Sequence, residues 1–320
     1  MAPVEVALDP VYAAFCEQAK HNPKFSDGSI PLPAFREAAN QRLKGVKNLP
    51  EVIEEDKVVV HNSIDVRLTL FRPPGTENEI LPAVVFYHGG GWVFGSKYTH
   101  GKLVKDICVR NNVAVVFVDY PLAPESKYPA AHENAFAALS WVVENGHSIN
   151  VDVSRLAVCG DSAGGNLSAV IPLMAKERGL PSAIKAQILL YPATAASRDK
   201  YESAKLFGGG DYYLKNEDAI FFDKAYWNDC EKTKIGFPML ATTEELQGLP
   251  PALIFTAEAD ILRDEGEDYA RRLTNAGVLN ATVRVIGAIH GYATVPVDTP
   301  AYKQTMAMIT NQLSEAFEKK

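Results

Sequence analysis

From about residue 50 onward, eight short apolar runs alternate with stretches that read as helices. The runs are Val58 to His61, Val66 to Phe71, Ala83 to Tyr87, Val113 to Val118, Leu156 to Cys159, Ala186 to Leu190, Ala252 to Thr256 and Thr282 to Ile286. Their near-continuous Val, Ile, Leu and Phe content is what strands covered on both faces require, and parallel neighbours need a crossover, usually a helix. The pattern predicts an α/β fold with an eight-stranded, mostly parallel sheet flanked by helices, its first two strands pairing antiparallel at an edge. A chain of 320 residues, 47% hydrophobic and 22% charged, can bury the core that such a sheet needs.

Residues 1 to about 48 and about 195 to 240 stand outside the alternation. The second segment holds Gly208-Gly209-Gly210 and the aromatics Tyr212, Tyr213, Phe221, Phe222, Tyr226 and Trp227. Both are assigned to a helical cap on a core of 49–194 and 241–320, within a single unit. The aromatics are expected to serve both as cap core and as walls of an apolar pocket. From Thr299 on, Met306, Ile309, Leu313 and Phe317 recur every three or four residues, the spacing of an amphipathic closing helix packed on the core.

Charge and cysteine usage narrow the partners. A net charge of −7 disfavours nucleic acid, whose binding needs clustered Lys and Arg. The first residues carry acids where a secretory signal has a basic region and an unbroken apolar run, so a cytoplasmic protein without stable membrane insertion is expected. Cys16, Cys108, Cys159 and Cys230 form no close pairs, which suits reduced thiols better than a disulfide scaffold or a zinc site.

Chemistry enters with Gly160-Asp161-Ser162-Ala163-Gly164, which follows one apolar run and opens the helix-like stretch Asn166 to Lys176. A sharp strand-to-helix turn lifts a serine hydroxyl out of the sheet, and it needs glycine on both sides for clearance. A pentapeptide of this form arises by chance in roughly one such chain in ten, so it needs support. Support comes from His88-Gly89-Gly90-Gly91-Trp92, directly after Ala83 to Tyr87, a pattern expected in only about one chain in several hundred. Glycines there let main-chain N–H groups approach a developing oxyanion. Either Gly90 and Gly91, or Gly89 and Gly90, would act with the N–H of Ala163. His88, Trp92 and Asp161 are expected to support that loop. Lys97 stands one place too late for a phosphate-binding P-loop, and Phe136 occupies the position where a zincin starting at His132 needs its second histidine.

A serine of this kind needs a histidine base and an acid, in the chain order Ser, acid, His. His290 is the sole histidine after Ser162. Asp260 follows the run Ala252 to Thr256 into a loop, at the carboxyl edge where open α/β sheets place their sites. Glu258 and Asp264 are its rivals.

HGGGW at His88, GDSAGGNL at Gly160, the run Asp119 to Glu125, the run Tyr128 to Glu133 and the carboxyl-terminal His290-Gly291-Tyr292 together resemble the hormone-sensitive lipase family of α/β-hydrolases. The similarity extends over most of the chain. Pro121 departs from the family's usual Arg and Ile261 from its usual Pro. The resemblance implies a carboxylesterase that needs no metal or cofactor and takes a small-molecule ester. Its triad would be Ser162, Asp260 and His290, its oxyanion donors Gly90, Gly91 and Ala163. Family relatives are often dimers, and strand 282–286 could pair across a two-fold axis. An amide hydrolase, an interfacial lipase, and a ligand receptor on the same scaffold are the competing functions. The receptor reading is weakened by the presence of His290, because the family's receptors lack that histidine.

Overall fold

The computed structural model describes residues 6–21, 28–227 and 230–318. Eight strands run through it: β1 Ile53–His61, β2 Ile64–Arg72, β3 Leu81–Tyr87, β4 Ala114–Val118, β5 Val151–Asp161, β6 Ile184–Leu190, β7 Ala252–Ala259 and β8 Asn280–Ile289. The helices are α1 Pro10–Lys20, α2 Leu32–Asn40, α3 Lys97–Asn111, α4 Ala130–Asn145, α5 Ala163–Glu177, α6 Glu202–Phe207, α7 Asn216–Tyr226, α8 Thr243–Leu246, α9 Arg263–Asn275 and α10 Pro300–Phe317.

All eight strands join one sheet in the order β1-β2-β4-β3-β5-β6-β7-β8. β1 pairs antiparallel with β2 and β2 antiparallel with β4, while every later pairing is parallel. The α/β expectation therefore holds, with the antiparallel edge where the sequence placed it.

Alternation along the strands explains the layering. Val84 and Phe86 of β3 face a core shared with Leu103, Val104 and Ile107 of α3 and with Met306, Ile309 and Leu313 of α10. Ala83, Val85 and Tyr87 face the opposite core, with Ala135 and Leu139 of α4 and Leu167, Val170 and Ile171 of α5. A third cluster joins Leu189 and Ile254 to Leu173 of α5 and to Tyr269 and Leu273 of α9. The stripe foreseen for the closing helix is buried throughout, from Met306 to Phe317.

Because β3 and β5 to β8 run parallel, they end at one edge of the sheet. His88 follows β3, Ser162 follows β5, Asp260 follows β7 and His290 follows β8. Four segments distant in sequence thus converge through sheet topology alone. The segments outside the alternation supply α1, α2, α6 and α7, and residues of all but α6 wall a cavity over that edge. Parts of the expected cap, 1–5, 22–27 and 228–229, and the last two residues of the tail lie outside the described residues.

Candidate active site

Ser162 sits at φ 56°, ψ −116°, between the last residue of β5 and the first of α5. A positive φ is costly for a residue with a Cβ and persists only where surroundings hold it. Here the Ser162 N–H donates to the Leu190 carbonyl at 2.9 Å, and the Ser162 carbonyl accepts from Asn166 and Ala193. The flanking glycines have a steric cause. A Cβ on Gly164 would stand 1.9 Å from the Tyr87 carbonyl oxygen, and one on Gly160 would stand 2.3 Å from that of Gly164.

His290 Nε2 lies 2.9 Å from Ser162 Oγ, and His290 Nδ1 lies 2.8 Å from Asp260 Oδ2. The other carboxylate oxygen of Asp260 accepts from the Leu262 N–H at 2.9 Å. With the ring proton on Nδ1, the imidazole donates to the carboxylate and offers Nε2 as acceptor to the hydroxyl, the arrangement a general base needs. Asp260 and His290 are both buried, so little water competes for these bonds. Tyr191 packs edge-on against the His290 ring, with centroids 5.0 Å apart.

The two rival acids do other work. Glu258 accepts from the Gly287 N–H at 2.7 Å, and Asp264 accepts from the Ser203 N–H at 2.8 Å and from Arg263.

In the glycine loop, Gly90 and Gly91 take φ 110° and 60°, values that favour glycine, and both line the cavity with Ala163. Ala163 is the first residue of α5, so its N–H belongs to the set that a helix start leaves without an intrahelical acceptor. Gly89 needs correction as an oxyanion donor. Its N–H donates to Asp161 Oδ1 at 2.9 Å and is already committed.

The supporting residues form a buried scaffold beneath the loop. Asp161 Oδ1 also lies 3.1 Å from His100 Nε2, a pair that no linear motif announced. Burial works to raise the Asp161 carboxyl, but the charge and hydrogen bond of His100 and the Gly89 N–H hold it below its usual range. The His88 ring stacks on Tyr120 with centroids 4.1 Å apart, and its Nδ1 lies 2.7 Å from the Gly89 carbonyl. Burial and the nearby His100 push its pKa down to about 3, so His88 acts as a neutral strut. Trp92 stacks on Tyr226 and meets Trp227 edge-on, whereas Tyr213 and Phe222 line the cavity. The aromatic-rich segment therefore serves both as packing core and as pocket wall.

The cavity has a volume of about 840 Å³ and reaches Ser162 and His290. Among the described residues no helix is long and apolar enough to cross a membrane.

Comparison with known proteins gives the family and the fold. A family model described as the alpha/beta hydrolase fold matches residues 84–294. The chain belongs to the α/β-hydrolases of the hormone-sensitive lipase type. A fungal esterase structure from Rhizomucor miehei is 51% identical, covers 98% of both chains and superposes with a TM-score of 0.93. A thermostable esterase from Pseudomonas putida is 36% identical over 99% of both chains, also at 0.93. Carboxylesterase NlhH of Mycobacterium tuberculosis is 38% identical over 274 residues, 83% of this chain and 84% of its own length. The membership sets the class of this hydrolase, a carboxylic-ester hydrolase.

A second acid in this hydrolase escaped the sequence reading. Glu265, fully buried on α9, accepts from the N–H groups of Thr194 and Ala195 at 2.6 and 3.2 Å, and Thr194 Oγ1 donates to the Glu265 carbonyl. It thereby ties α9 to the loop whose Ala193 N–H holds the Ser162 carbonyl. Burial pushes the Glu265 carboxyl up to about 7, against the pull of Arg198 and the two N–H groups and with help from Asp260. Its folded pKa is raised above the ordinary 4.5, so its contribution to stability is complete below that value and is lost as pH rises through about 7. Glu265→Gln keeps the acceptor oxygen without the charge. Thermal unfolding of both proteins from pH 5 to pH 8 is therefore expected to move in the variant's favour by a few degrees as pH rises. A difference in Tm that stays constant with pH would sink this assignment.

Proposed function

We propose that this chain is a serine carboxylesterase with Ser162 as nucleophile, His290 as base and Asp260 as the acid that orients it. The observation that carries the reading is the bonded series Ser162–His290–Asp260, at 2.9 and 2.8 Å, opening into the cavity. His290 takes the Ser162 proton as the oxygen attacks an ester carbonyl, and Asp260 stabilises the imidazolium that forms. The tetrahedral oxyanion meets the N–H groups of Gly90, Gly91 and Ala163, and such a donor is worth about 10² to 10³ in rate. His290 returns its proton to the departing alkoxide, and water then repeats the sequence on the acyl-enzyme. Segments 1–48 and 195–240 act as the cap that bounds the acyl and alcohol groups. The cavity size and its apolar walls favour short- to medium-chain acyl groups.

A p-nitrophenyl ester series from acetate to palmitate, run beside matched anilides, tests this function. Turnover is expected to peak among the short and medium esters and to exceed that of the anilides by orders of magnitude. Equal anilide turnover would establish an amidase, activation by emulsified substrate a lipase, and no turnover of any ester a binding protein.

β8 is the last strand of the sheet; the Asp9 N–H donates to its Gly287 carbonyl, while Ile286 is exposed, which supports pairing of 282–286 with a second copy. All four cysteines are free thiols, which supports residence in a reducing compartment such as the cytoplasm.

A further inference from the structure

The cavity wall carries one cation with an unusual environment. Arg42, in the turn after α2, lines the cavity with Phe15, Ala38 and Ala39 and is partly buried there. Its guanidinium lies over the Phe15 ring, 4.9 Å from the centroid. The other lining cations are engaged: Lys20 pairs with Glu17, Arg198 pairs with Asp223, and Lys215 has contacts of its own. Among the described residues, no carboxylate lies within ion-pair distance of Arg42.

Position links this charge to the chemistry. Phe15 packs on Tyr213 with centroids 5.0 Å apart, and Tyr213 Cε1 is 3.6 Å from where a Cβ of Gly291 would stand, next to His290. Two aromatic rings therefore separate the guanidinium from the loop that carries the base. A guanidinium held over Phe15 with no carboxylate partner still has N–H donors to offer, and a guanidinium can grip a carboxylate with two parallel hydrogen bonds. A mostly apolar pocket uses a few placed polar groups to orient its ligand, and a partly desolvated cation without a protein counterion is such a group.

Resting on the esterase reading, we propose that Arg42 is a specificity-determining residue that selects esters bearing a free carboxylate remote from the scissile bond. The carboxylate can sit on the acyl arm, as in a half-ester of a dicarboxylic acid, or on the alcohol arm, as in an acylated hydroxy acid. In either case the apolar linker passes the Phe15 and Tyr213 rings while the ester carbonyl reaches Ser162.

Two pairs of substrates test this, each a carboxylate against its neutral primary amide: monoethyl suberate against ethyl 7-carbamoylheptanoate, and 6-acetoxyhexanoate against 6-acetoxyhexanamide. In the wild type, kcat/KM is expected to favour the carboxylate about tenfold or more in one pair, as a charged hydrogen-bonded contact allows. That pair identifies the arm. Arg42→Ala is expected to bring the ratio to about one through KM, with Arg42→Lys intermediate because it keeps the charge and loses the fork. Turnover of ethyl butyrate, which has no carboxylate to hold, is expected to survive both changes. The proposal is overturned if the wild type fails to favour the carboxylate in either pair, or if Arg42→Ala keeps the preference while still hydrolysing ethyl butyrate. Failure of the wild type to hydrolyse ethyl butyrate is a different result, since it removes the esterase reading itself.

Discussion

Ser162→Ala is expected to lower kcat for p-nitrophenyl butyrate by roughly 10⁵- to 10⁶-fold, the order seen when a protease loses its serine nucleophile. The melting temperature is expected to stay within about two degrees of the wild type, as for a substitution that touches no core packing. Residue 162 is held at φ 56° by bonds through its own N–H and carbonyl, to Leu190, Asn166 and Ala193, none of which involves the side chain. Alanine meets the same steric cost as serine at that φ, so the turn keeps its shape. What disappears is the oxygen 2.9 Å from His290 Nε2. The main-chain donors and the cavity remain, and donors with substrate binding alone still give about 10³ to 10⁴ over water. Steady-state kinetics with a thermal scan on the same preparation decides the matter. Near-wild-type turnover in a folded variant would remove Ser162 from the mechanism.

Much of this arrangement is legible in the sequence, and the reasons are physical. Strands buried on both faces leave almost pure apolar runs, so β3, β4, β6 and β7 were located to within a few residues. Longer strands lost their polar ends. β1 begins at Ile53 with Glu54, Glu55 and Asp56 because it lies at an edge, where side chains face solvent, and β5 begins at Val151 with Asp152, Ser154 and Arg155 half-covered or exposed. Glycine motifs were readable because close backbone approach tolerates no other residue, as the 1.9 Å contact at Gly164 illustrates.

Groups whose partners are set by the third dimension were not legible. His100 is an ordinary helix residue in sequence and meets Asp161 only because α3 packs beneath the glycine loop. That bond network also explains why three consecutive glycines could not be ranked as donors: Gly89 is excluded by a carboxylate 72 residues away. Glu265, one of several acids in Arg263-Asp264-Glu265-Gly266-Glu267, differs from its neighbours through burial alone. The outer segments read as a helical cap, but the bounds of α1, α2 and α7 are not legible, because their faces are divided between cavity and packing, which blurs the apolar period that marks a helix resting on one core.

Asp260→Asn is the change expected to rank next in severity, about 10⁴-fold in kcat, the cost of the same substitution in a worked serine protease. The local bonds say why. Asp260 Oδ1 accepts from the Leu262 N–H, so an asparagine would turn its amide oxygen to that donor and present its NH₂ group to His290 Nδ1. Nδ1 must then accept, which forces the ring proton onto Nε2 and leaves the Ser162 hydroxyl without a base. Binding contacts are untouched, so the loss is expected in kcat rather than KM. The rival acids lack this power over the tautomer. Glu258→Gln still accepts the Gly287 N–H that holds β8 three residues before His290, and Asp264→Asn still accepts the Ser203 N–H. Each is expected to cost less than about tenfold, equivalent to some 1.4 kcal/mol of transition-state stabilisation. Side-by-side kinetics of the three variants orders them. A lesion at Glu258 or Asp264 as deep as that at Asp260 would mean that another carboxylate governs the imidazole.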